Sequence, residues 1–442
     1  MIYKSDKNEI IDILQDWNLW KREQSSGIPR EKYLARLKSF IDTNQVITIT
    51  GPRRSGKSFI MKQMAKALIE KSKVKAENVL IVNLEDPRFP ALSLKLLEQI
   101  YEAYLEFLSP KGQIFIFLDE VQEIESWEKW VRMMHELRKA KIIVSGSNAK
   151  LLSRELGTLL TGRHLDLTVF PLSFKEFLEF NGVILLDRLD IINRKIEIKG
   201  LLRKYLEFGS FPEAVLSEQK KEILLNYFED IVNKDLLRRF RIRKYQDLNA
   251  LVKFYLSNIS SLATYRSLEK SLKISNDTIE KFSGYLEQVY LVFLLKRFSF
   301  KVREQENSPR KVYAIDTGLC NAVGFRFSEN FGRLAENLVF LELKRRQALK
   351  IEKELYFWKD EYHKEVDFLI KEGLRVKELI QVCWNIRSEK TKSREIRSLL
   401  KAMDEFELDE AAIITEDDEA EEKIKGKTIR FLPLWKWLLE DE

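Results

Sequence analysis

Short continuous apolar runs alternate with amphipathic segments along the first part of the chain. The runs lie at Val46–Thr50, NVLIVNLED (78–86), QIFIFLDEVQ (113–122), KIIVSGSNA (141–149) and HLDLTVFPLS (164–173). Between them, the segments LSLKLLEQIYEAYLEFL and WEKWVRMMHELRKA repeat apolar residues at helical spacing. Uninterrupted apolar strands that alternate with helices are typical of a parallel sheet covered by helices on both faces. The pattern therefore predicts an α/β fold, preceded by a helical segment in residues 1–44 that includes DWNLWKREQ and EKYLARLKSFI.

A glycine-bounded loop follows the first apolar strand and leads into a helix. Gly51, Gly56, Lys57 and Ser58 fill the pattern G-x-x-x-x-G-K-[ST] of a Walker A phosphate loop. The two glycines let the backbone curl so that its N–H groups point at phosphates, and the positive helix end adds to the attraction. In this pattern Lys57 contacts the β- and γ-phosphates and Ser58 ligates Mg²⁺, so ATP and Mg²⁺ are the expected cofactors. The predicted nucleotide-binding residues are Gly51, Pro52, Arg53, Arg54, Ser55, Gly56, Lys57, Ser58 and Phe59.

Two acids end the run IFIFLDE (114–120), at the carboxyl end of the predicted strand. Asp119 and Glu120 form a Walker B pattern, in which Asp119 holds the Mg²⁺ shell and Glu120 orients or deprotonates the attacking water. Solvated strand ends also carry acid pairs, and the phosphate loop upstream favours the catalytic interpretation here.

Polar residues after the next strand could sense the γ-phosphate. Ser147 or Asn148 ends the run VSGSN, which we place between the Walker A and Walker B strands, although a plain polar turn gives the same pattern. Arg154 and Arg163 follow, and either could act as an arginine finger that reaches a neighbouring subunit's nucleotide. We favour Arg163, and a surface arginine is the alternative.

Length and composition indicate two to four domains in a well-cored chain that lacks a disulfide framework. The chain has 442 residues, 45% of them hydrophobic, and two cysteines. No apolar run is long enough to span a bilayer, and the start lacks the order of a signal peptide, so we expect a cytoplasmic protein without a membrane partner. The net charge of +7 is mild, but the run KDLLRRFRIRK (234–244) carries six basic residues against one acid.

A helix-turn-helix pattern occupies residues 264–300, with its turn at residues 274–276. Two predicted strands then flank the ENSPR turn (306–310), as a wing would. The second helix carries Asp277, Glu280 and Glu287 against Lys281, which is unfavourable for a helix lying among phosphates. The basic run 234–244 is the better candidate for contacts with a DNA backbone, and a solvated helix face is the alternative. The apolar positions that suit the helix-turn-helix core are Leu268, Leu272, Ile274, Ile279, Phe282 and Leu286.

The motifs together resemble those of the AAA+ superfamily. The phosphate loop, the Asp119–Glu120 pair, the SGS-type strand and the TGR…VFPLSFKEFL run carry this resemblance. The chain is more closely similar to archaeal and bacterial predicted ATPases whose C-terminal half is a domain of unknown function. Three further motifs of that family are matched by FGSFPEAV (208–215), YFEDIVNKD (227–235) and KVYAIDTGL (311–319). The resemblance implies an AAA+ core with an N-terminal helical extension (1–170), a helical lid (171–220), a winged-helix-like domain (221–325) and a nuclease-like domain (326–442).

The last segment is similar in element order to PD-(D/E)XK nucleases. A helix, GRLAENLVFLELKRR, precedes strands 354–360, 365–373 and 374–384, then helices and the strand AAIIT (411–415). The resemblance implies metal ligands at Glu336 and Asp367, with Gln381 and Cys383 at the positions of the (E/Q)-x-K element. Cys383 replaces the lysine, and Lys377 lies about 13 Å away along the strand, so we expect a domain that does not cut DNA.

Three functions fit these patterns. The first is a Mg²⁺-dependent ATPase that acts as a switch or motor on DNA or on a DNA-processing partner. The second is a metal-dependent DNA nuclease regulated by ATP. The third is an ATP-gated module that docks a protein partner. An arginine finger supplied by a neighbour would require a homo-oligomer.

Overall fold

The apolar runs of the first unit pair into one parallel sheet. The computed structural model describes residues 7–21, 24–89, 91–147, 163–325, 330–349 and 352–440. The chain divides after Val169 into two units, and each is considered by itself. In the first unit the described strands have the order β2-β3-β4-β1-β5 and all neighbours run parallel. The strands are β1 (Val46–Thr50), β2 (Val79–Asn83), β3 (Phe115–Asp119), β4 (Lys141–Gly146) and β5 (His164–Thr168).

Helices cover both faces of this sheet, as the sequence predicts. Alternate residues of one strand point to opposite faces, so Val46 packs into one core and Ile47 into the other. The core of Val46 also contains residues of α1, α4 and α5, and the core of Ile47 contains residues of α2 and α3. The helices are α1 (Lys7–Gln15), α2 (Glu31–Ile41), α3 (Lys57–Glu70), α4 (Leu94–Leu108) and α5 (Trp127–Glu136).

The prediction of a helix over DWNLWKREQ is wrong. Helix α1 ends at Gln15, and the following residues form turns and bends beside the edge strand β2. The amide of Asn18 donates to the carbonyl of Ile81 at 2.8 Å and accepts from its N–H at 2.7 Å, and the indole of Trp20 donates to the carbonyl of Val79. These contacts satisfy backbone groups that an edge strand leaves open, which outweighs the local helical spacing.

The second unit starts with helices in the region predicted as a lid. Helix α8 is followed by a glycine, Gly209, whose φ of 76° favours a residue without a side chain. After α10 the helix continues as a π-helical segment, Ile231–Arg238. The helices here are α6 (Phe174–Phe180), α7 (Arg188–Asn193), α8 (Lys195–Phe208), α9 (Pro212–Leu216) and α10 (Lys220–Asp230).

Two of the predicted helices and a small sheet form the next part of this unit. The predicted turn at residues 274–276 lies between α12 and α13, and the predicted core residues are buried apart from Leu272, which is half-buried. The strands pair in the order β6-β8-β7. The elements are α11 (Tyr245–Ser257), β6 (Leu262–Ala263), α12 (Tyr265–Leu272), α13 (Asn276–Gln288), β7 (Val292–Leu295), α14 (Val302–Asn307) and β8 (Arg310–Ala314).

The ENSPR segment is not a simple turn between two strands. Helix α14 covers its first two residues, and β8 begins at Arg310. Glu304 lies 3.2 Å from Lys301 and accepts a hydrogen bond from Ser299, so local ion pairing stabilises a helical turn where we expected a wing tip.

The last part of the chain follows the predicted helix–strand order and extends it. The described strands form a mixed sheet with the order β13-β14-β12-β11-β10-β9. The hairpin β13–β14 was not predicted, because β13 is an exposed edge strand without an apolar face. The elements are α15 (Thr317–Val323), α16 (Phe331–Leu349), β9 (Lys353–Lys359), β10 (Glu365–Glu372), β11 (Arg375–Val382), α17 (Glu389–Glu405), β12 (Glu410–Thr415), β13 (Ala420–Ile424), β14 (Lys427–Pro433) and α18 (Leu434–Trp437).

A buried aspartate joins two of the sequence motifs. Asp316, the N-cap of α15, accepts from the N–H of Leu319 at 3.0 Å and from the N–H of Ser210 at 2.6 Å. A Cβ at Gly209 would lie 2.0 Å from a carboxylate oxygen of Asp316, and a Cβ at Gly318 would lie 2.2 Å from the carbonyl oxygen of Phe208. Burial raises the pKa of Asp316 to about 6 against the hydrogen bonds that lower it. The FGSFPEAV and KVYAIDTGL motifs therefore meet at one close backbone contact.

We expect Asp316→Asn to lower the free energy of unfolding by about 1–3 kcal/mol, because an amide has a single acceptor oxygen and cannot accept the buried N–H groups of both Leu319 and Ser210. Urea unfolding followed by circular dichroism would measure the loss. Asp187→Asn is the matched control, since Asp187 is an exposed N-cap of α7 and asparagine caps helices equally well. Equal stabilities for the two variants would contradict a structural role for the contact with Ser210.

No helix in the described ranges is both long and apolar enough to cross a membrane.

Candidate functional site

The phosphate loop links β1 to α3 with the backbone that the glycines permit. Gly51 has a φ of 142°, and a Cβ there would lie 2.2 Å from the carbonyl oxygen of Val169. Gly56 has a φ of 97° and precedes the first residue of α3. Because Gly56 has no side chain to cap the helix, the first N–H groups of α3 are available to an anion. The buried hydroxyl of Ser55 has no hydrogen-bond partner in the part of the chain that the structure describes. An oxygen of a bound phosphate could accept a hydrogen bond from it.

The ammonium of Lys57 lies inside the loop. The side chain is only 3% exposed, and its Nζ donates to the carbonyls of Gly51 at 3.2 Å and Pro52 at 3.1 Å. The same Nζ lies 3.5 Å from a carboxylate oxygen of Glu120. The predicted phosphate-binding lysine and the predicted general base therefore meet in the fold.

Ser145 of β4 holds the two acids of the Walker B pattern. Its hydroxyl donates a short hydrogen bond to the carboxylate of Asp119 and accepts from the N–H of Glu120 at 3.1 Å. Glu120 is in the left-handed region, with a φ of 54° and a ψ of 49°. A non-glycine residue in this region costs about 1–3 kcal/mol, and such strain is frequent at active sites. Gln122 donates to the Glu120 carboxylate at 2.5 Å.

Burial raises the pKa of the Asp119 carboxyl, and the charge of Glu120 acts in the same direction. Hydrogen bonds from Ser145 and Ser58 and the charge of Lys57 oppose this shift. The hydroxyl of Ser58 and the carboxylate of Asp119 thus lie within hydrogen-bond reach. Both are oxygen ligands of the type that Mg²⁺ binds, so this pair fits a magnesium ion.

The segment before α2 packs against the phosphate loop and α3. The guanidinium of Arg30 is buried and donates to the carbonyl of Ser55 at 2.9 Å. Gln63 of α3 donates to the carbonyls of Ser26 and Ile28, both at 2.8 Å. The N-terminal segment therefore packs beside the predicted nucleotide-binding residues. Arg30 was not predicted, because it lies outside the motif.

The other loop residues differ in exposure. Arg53 lies 2.9 Å from Glu85, and Arg54 has a φ of 67°. Phe59 is 52% exposed and faces Gly27, where a Cβ would lie 3.0 Å from its ring. An apolar side chain is thus open beside the first turn of α3.

The two predicted sensor residues have different outcomes. Ser147 is buried and directly follows β4, which lies between β1 and β3 as predicted. Asn148 and Arg154 lie outside the described residues. Ser145, which contacts both acids, was overlooked, although Ser145 and Ser147 share one face of the strand.

Arg163 lies at the amino end of β5. Its carbonyl accepts the N–H of Val46, the first residue of β1, whereas the phosphate loop follows the last residue of β1. The strand between them spans about 15 Å at roughly 3.3 Å per residue, so Arg163 does not face the nucleotide residues of its own subunit. Its side chain is 56% exposed and its Nη1 lies 3.9 Å from Glu136. Action on a neighbouring subunit's nucleotide stays a prediction.

If Arg163 is such a finger, ATPase activity per subunit should rise with protein concentration, and Arg163→Ala should abolish that rise. Steady-state phosphate release over a dilution series would measure it. Arg132→Ala is the matched control, because Arg132 is an exposed arginine that also pairs with Glu136. Activity that does not depend on concentration would exclude a finger from a neighbour.

Residues 43–178 match the family model described as an AAA domain. Residues 199–330 and 331–437 match two models, each described as a domain of unknown function. The uncharacterized protein MJ1544 of Methanocaldococcus jannaschii is 36% identical over 90% of this chain and 88% of its own length. An uncharacterized protein of Haemophilus influenzae is 31% identical over 72% of this chain and 79% of its own. The chain belongs to the family of these two proteins.

The matched AAA domain of this chain contains the predicted phosphate loop, Asp119, Glu120 and Ser145. Among solved structures, the chain is similar to the Walker-type ATPase PABY2304 of Pyrococcus abyssi. That similarity has a TM-score of 0.42 and 14% identity, and covers 70% of this chain and 99% of the other.

A second group of titratable residues lies in the second unit, where the sequence indicates a nuclease-like centre. Glu336 of α16 and Asp367 of β10 are brought together, and Lys311 of β8 lies between them. Cys383 replaces the lysine on β11, and Lys311 brings an ammonium to these acids from another element. Burial lowers the pKa of Lys311, but Asp367 and Glu336 outweigh it and raise that pKa well above its usual value. In the described ranges no three Asp, Glu, His or Cys residues are placed to hold a metal ion.

Neither Gln381 nor Cys383 is oriented as a catalyst. Gln381 accepts the N–H of Asp367 at 3.1 Å and donates to Glu395 at 2.9 Å. Cys383 is buried, its thiol donates to the carbonyl of Asn385 at 3.5 Å, and burial raises the pKa of that thiol to about 11. Both residues therefore serve packing and hydrogen bonding.

Proposed function

We propose that the AAA domain binds Mg²⁺-ATP and hydrolyses it with its own carboxylate. The observation that carries the proposal is the position of Glu120, which lies 3.5 Å from the ammonium of Lys57 and is tied through Ser145 to Asp119. In this arrangement the loop N–H groups and Lys57 bind the phosphates, and Glu120 orients and deprotonates the attacking water.

Two oxygen donors support the assignment of Mg²⁺. Ser58 and Asp119 would hold the ion, which would offset negative charge on the phosphates. The pairing of their side chains in the fold and their hard oxygen atoms support this choice of metal. Asp119 binds no proton in this role, because the ion favours its charged form.

The base of the nucleotide has a candidate surface beside α3. Phe59 is exposed next to Gly27, and Ile28 is also exposed. An adenine ring could stack on Phe59 while its phosphates extend into the loop. Ser147 would contact the γ-phosphate from the end of β4.

Phosphate release from ATP by the purified chain tests the proposal. We expect turnover that requires MgCl₂ and stops on addition of EDTA. The amount of phosphate released should equal the amount of ATP consumed. Nucleotide binding without Mg²⁺-dependent turnover, in assays with and without DNA, would contradict hydrolysis.

A second candidate function is the binding of DNA by the second unit. The order α11, β6, α12, α13, β7, α14, β8, with α14 inserted between the two strands, supports a winged-helix-like assignment for this region. Arg241 and Arg243 are exposed and make no ion pair with any described residue. Phe240 beside them stacks on Tyr285 of α13 at 3.9 Å between ring centroids, which anchors the basic run to that helix. We propose that residues 238–244 contact phosphates, whereas the exposed acids Asp277 and Glu280 keep α13 away from them.

The double variant Arg241→Glu/Arg243→Glu should weaken binding to duplex DNA of any sequence. The slope of log K against log salt should fall by about 2, because each phosphate contact contributes about 0.9. Fluorescence anisotropy at several salt concentrations would measure both effects. Arg387→Glu/Lys390→Glu changes the net charge equally at exposed positions around the start of α17 and serves as the control. Equal DNA affinities for the two double variants would contradict binding through the basic run.

A protein that both hydrolyses ATP and binds DNA would act as a switch or motor on DNA or on a DNA-processing partner. If DNA neither binds nor stimulates turnover, the ATP-gated docking of a protein partner becomes the leading hypothesis. The ATP-regulated nuclease is disfavoured by the position of Lys311.

A further inference from the structure

Three carboxylates of the second unit converge on one ammonium. Glu336 comes from α16, and Glu365 and Asp367 come from the start of β10. We call these three residues the carboxylate cluster. The Nζ of Lys311 lies 3.1 Å from Glu336, 2.8 Å from Glu365 and 2.6 Å from Asp367. Lys311 belongs to β8, the central strand of the small sheet β6-β8-β7, so the cation and the acids come from different parts of the unit.

The centre is removed from solvent. The side chain of Lys311 is 3% exposed, and those of Asp367 and Glu336 are 7% and 13% exposed. Removing the lysine from such a place leaves three carboxylates without their shared ammonium, which is strongly destabilising. An ammonium with a single carboxylate would also be expensive to bury, and the convergence of three acids on Lys311 offsets that cost.

The oxygens of the carboxylate cluster are engaged by the protein itself. Asp367 uses its second oxygen to accept the N–H of Val382 at 2.9 Å, and Glu365 uses its second oxygen to pair with Lys359 at 3.0 Å. Glu336 accepts a hydrogen bond from the hydroxyl of Tyr313 at 2.7 Å on the oxygen that also contacts Lys311. These partners fix the orientation of each acid towards the lysine.

Carboxylates are the ligands that divalent oxygen-binding cations prefer, but with Lys311 at their centre these three are not placed to hold a metal ion. A metal ion and a lysine ammonium cannot occupy the same point, and here the ammonium is held by direct contacts with all three acids. We propose that Lys311 is an internal cation that takes the place of a divalent metal ion at the carboxylate cluster. The centre then binds no metal, does not hydrolyse phosphodiesters, and joins β8 to the C-terminal sheet.

The proposal predicts that the loss of the ammonium creates a site for a divalent cation. Lys311→Met keeps most of the side-chain volume and removes the charge. In an Asp119→Asn background, which removes the predicted Mg²⁺ ligand of the AAA domain, we expect this variant to melt below its parent and to regain stability on addition of Mn²⁺. Electron paramagnetic resonance should detect one additional bound Mn²⁺ with a dissociation constant below about 1 mM, the weak end of carboxylate cation sites.

Two controls separate this effect from general loss of charge. Lys359→Met removes a lysine that contacts the carboxylate cluster only through Glu365, so it should gain no Mn²⁺ site. Addition of Asp367→Asn to Lys311→Met should abolish the gained binding. The parent, Asp119→Asn with Lys311 present, should bind the same amount of Mn²⁺ with and without Asp367→Asn.

Three results would overturn the proposal. One is Mn²⁺ binding by the parent that is lost on Asp367→Asn, because the lysine would then coexist with a metal ion. Another is a folded Lys311→Met variant that binds no additional Mn²⁺. The third is a Lys311→Met variant that stays unfolded at every Mn²⁺ concentration, because a divalent cation would then not replace the ammonium.

Discussion

Lys57→Ala is expected to reduce the rate of ATP hydrolysis by at least ~100-fold, the usual loss when one preorganised donor to developing charge is removed. The ammonium of Lys57 lies inside the phosphate loop and is almost fully buried there. Its loss also leaves Glu120 without the positive charge 3.5 Å away. Nucleotide affinity should fall as well, because Lys57 would contact the phosphates in the bound ground state.

Lys66→Ala provides the matched control for this variant. Lys66 lies on the same helix, but it is exposed and pairs with Glu70 one turn further on. We expect its effect on turnover to be negligible. Wild-type turnover by Lys57→Ala, measured as phosphate release at saturating ATP, would show that the loop is not the hydrolytic nucleotide site.

Glu120→Gln is expected to bind ATP and to turn it over at least ~100-fold more slowly, which is within the range for lost acid–base assistance. The amide keeps the size of the side chain and can still accept the hydrogen bond from Gln122, but it cannot take a proton from water. The N–H of residue 120 keeps its bond to Ser145, so the strained backbone should be preserved.

Equilibrium binding of a fluorescent ATP analogue would separate the two roles of Glu120. Retained binding with slow turnover supports the general base. Loss of binding would instead assign Glu120 to metal or loop structure. Glu125→Gln removes an exposed charge five residues further along the chain and should leave both measurements unchanged.

Local sequence patterns were sufficient for the first unit because its site is built from short motifs. The glycine positions of the phosphate loop dictate backbone angles, and they are found where predicted, at Gly51 and Gly56. Continuous apolar strands specify a sheet buried on both faces, and the acid pair at the end of β3 follows from strand direction. Even the place of β4 between β1 and β3 was predicted, because the polar residues at its end suit a phosphate sensor.

The partners of these motifs could not be found in the same way. Arg30 donates to the carbonyl of Ser55 from a segment in which the sequence shows only a helical pattern. Ser145, which accepts from the N–H of Glu120, lies two residues before Ser147, and the sequence gives no reason to choose one serine over the other. The edge of β2 is covered by Asn18, 63 residues away in the chain. Hydrophobic periodicity reports which face of an element is buried, but not which distant polar group it meets.

The carboxylate cluster shows the same limit more strongly. Glu336 and Asp367 follow from the element order, but their cation, Lys311, comes 56 residues before Asp367 and from a different sheet. The sequence pattern of β8 gives no sign that its lysine, Lys311, is buried among acids. A missing residue in a motif is therefore weak evidence when another element can supply the same chemical group.

The contacts around Asp316 determine when the second unit can fold. The N–H of Ser210 donates to Asp316, which comes 106 residues later in the chain. The carbonyls of Tyr205 and Leu206 accept hydrogen bonds from the side chains of Thr317 and Asn321, which follow them by 112 and 115 residues. Contacts between residues this distant in the chain require large loops to close, and the chain loses entropy before the contacts stabilise it. They therefore slow folding and make it cooperative. A ribosome that has made residues 170–300 has not yet made the partners of α8. Residues 170–300 should therefore stay incompletely folded until synthesis passes residue 321, and a fragment of the second unit that ends within residues 171–220 should not be stable by itself.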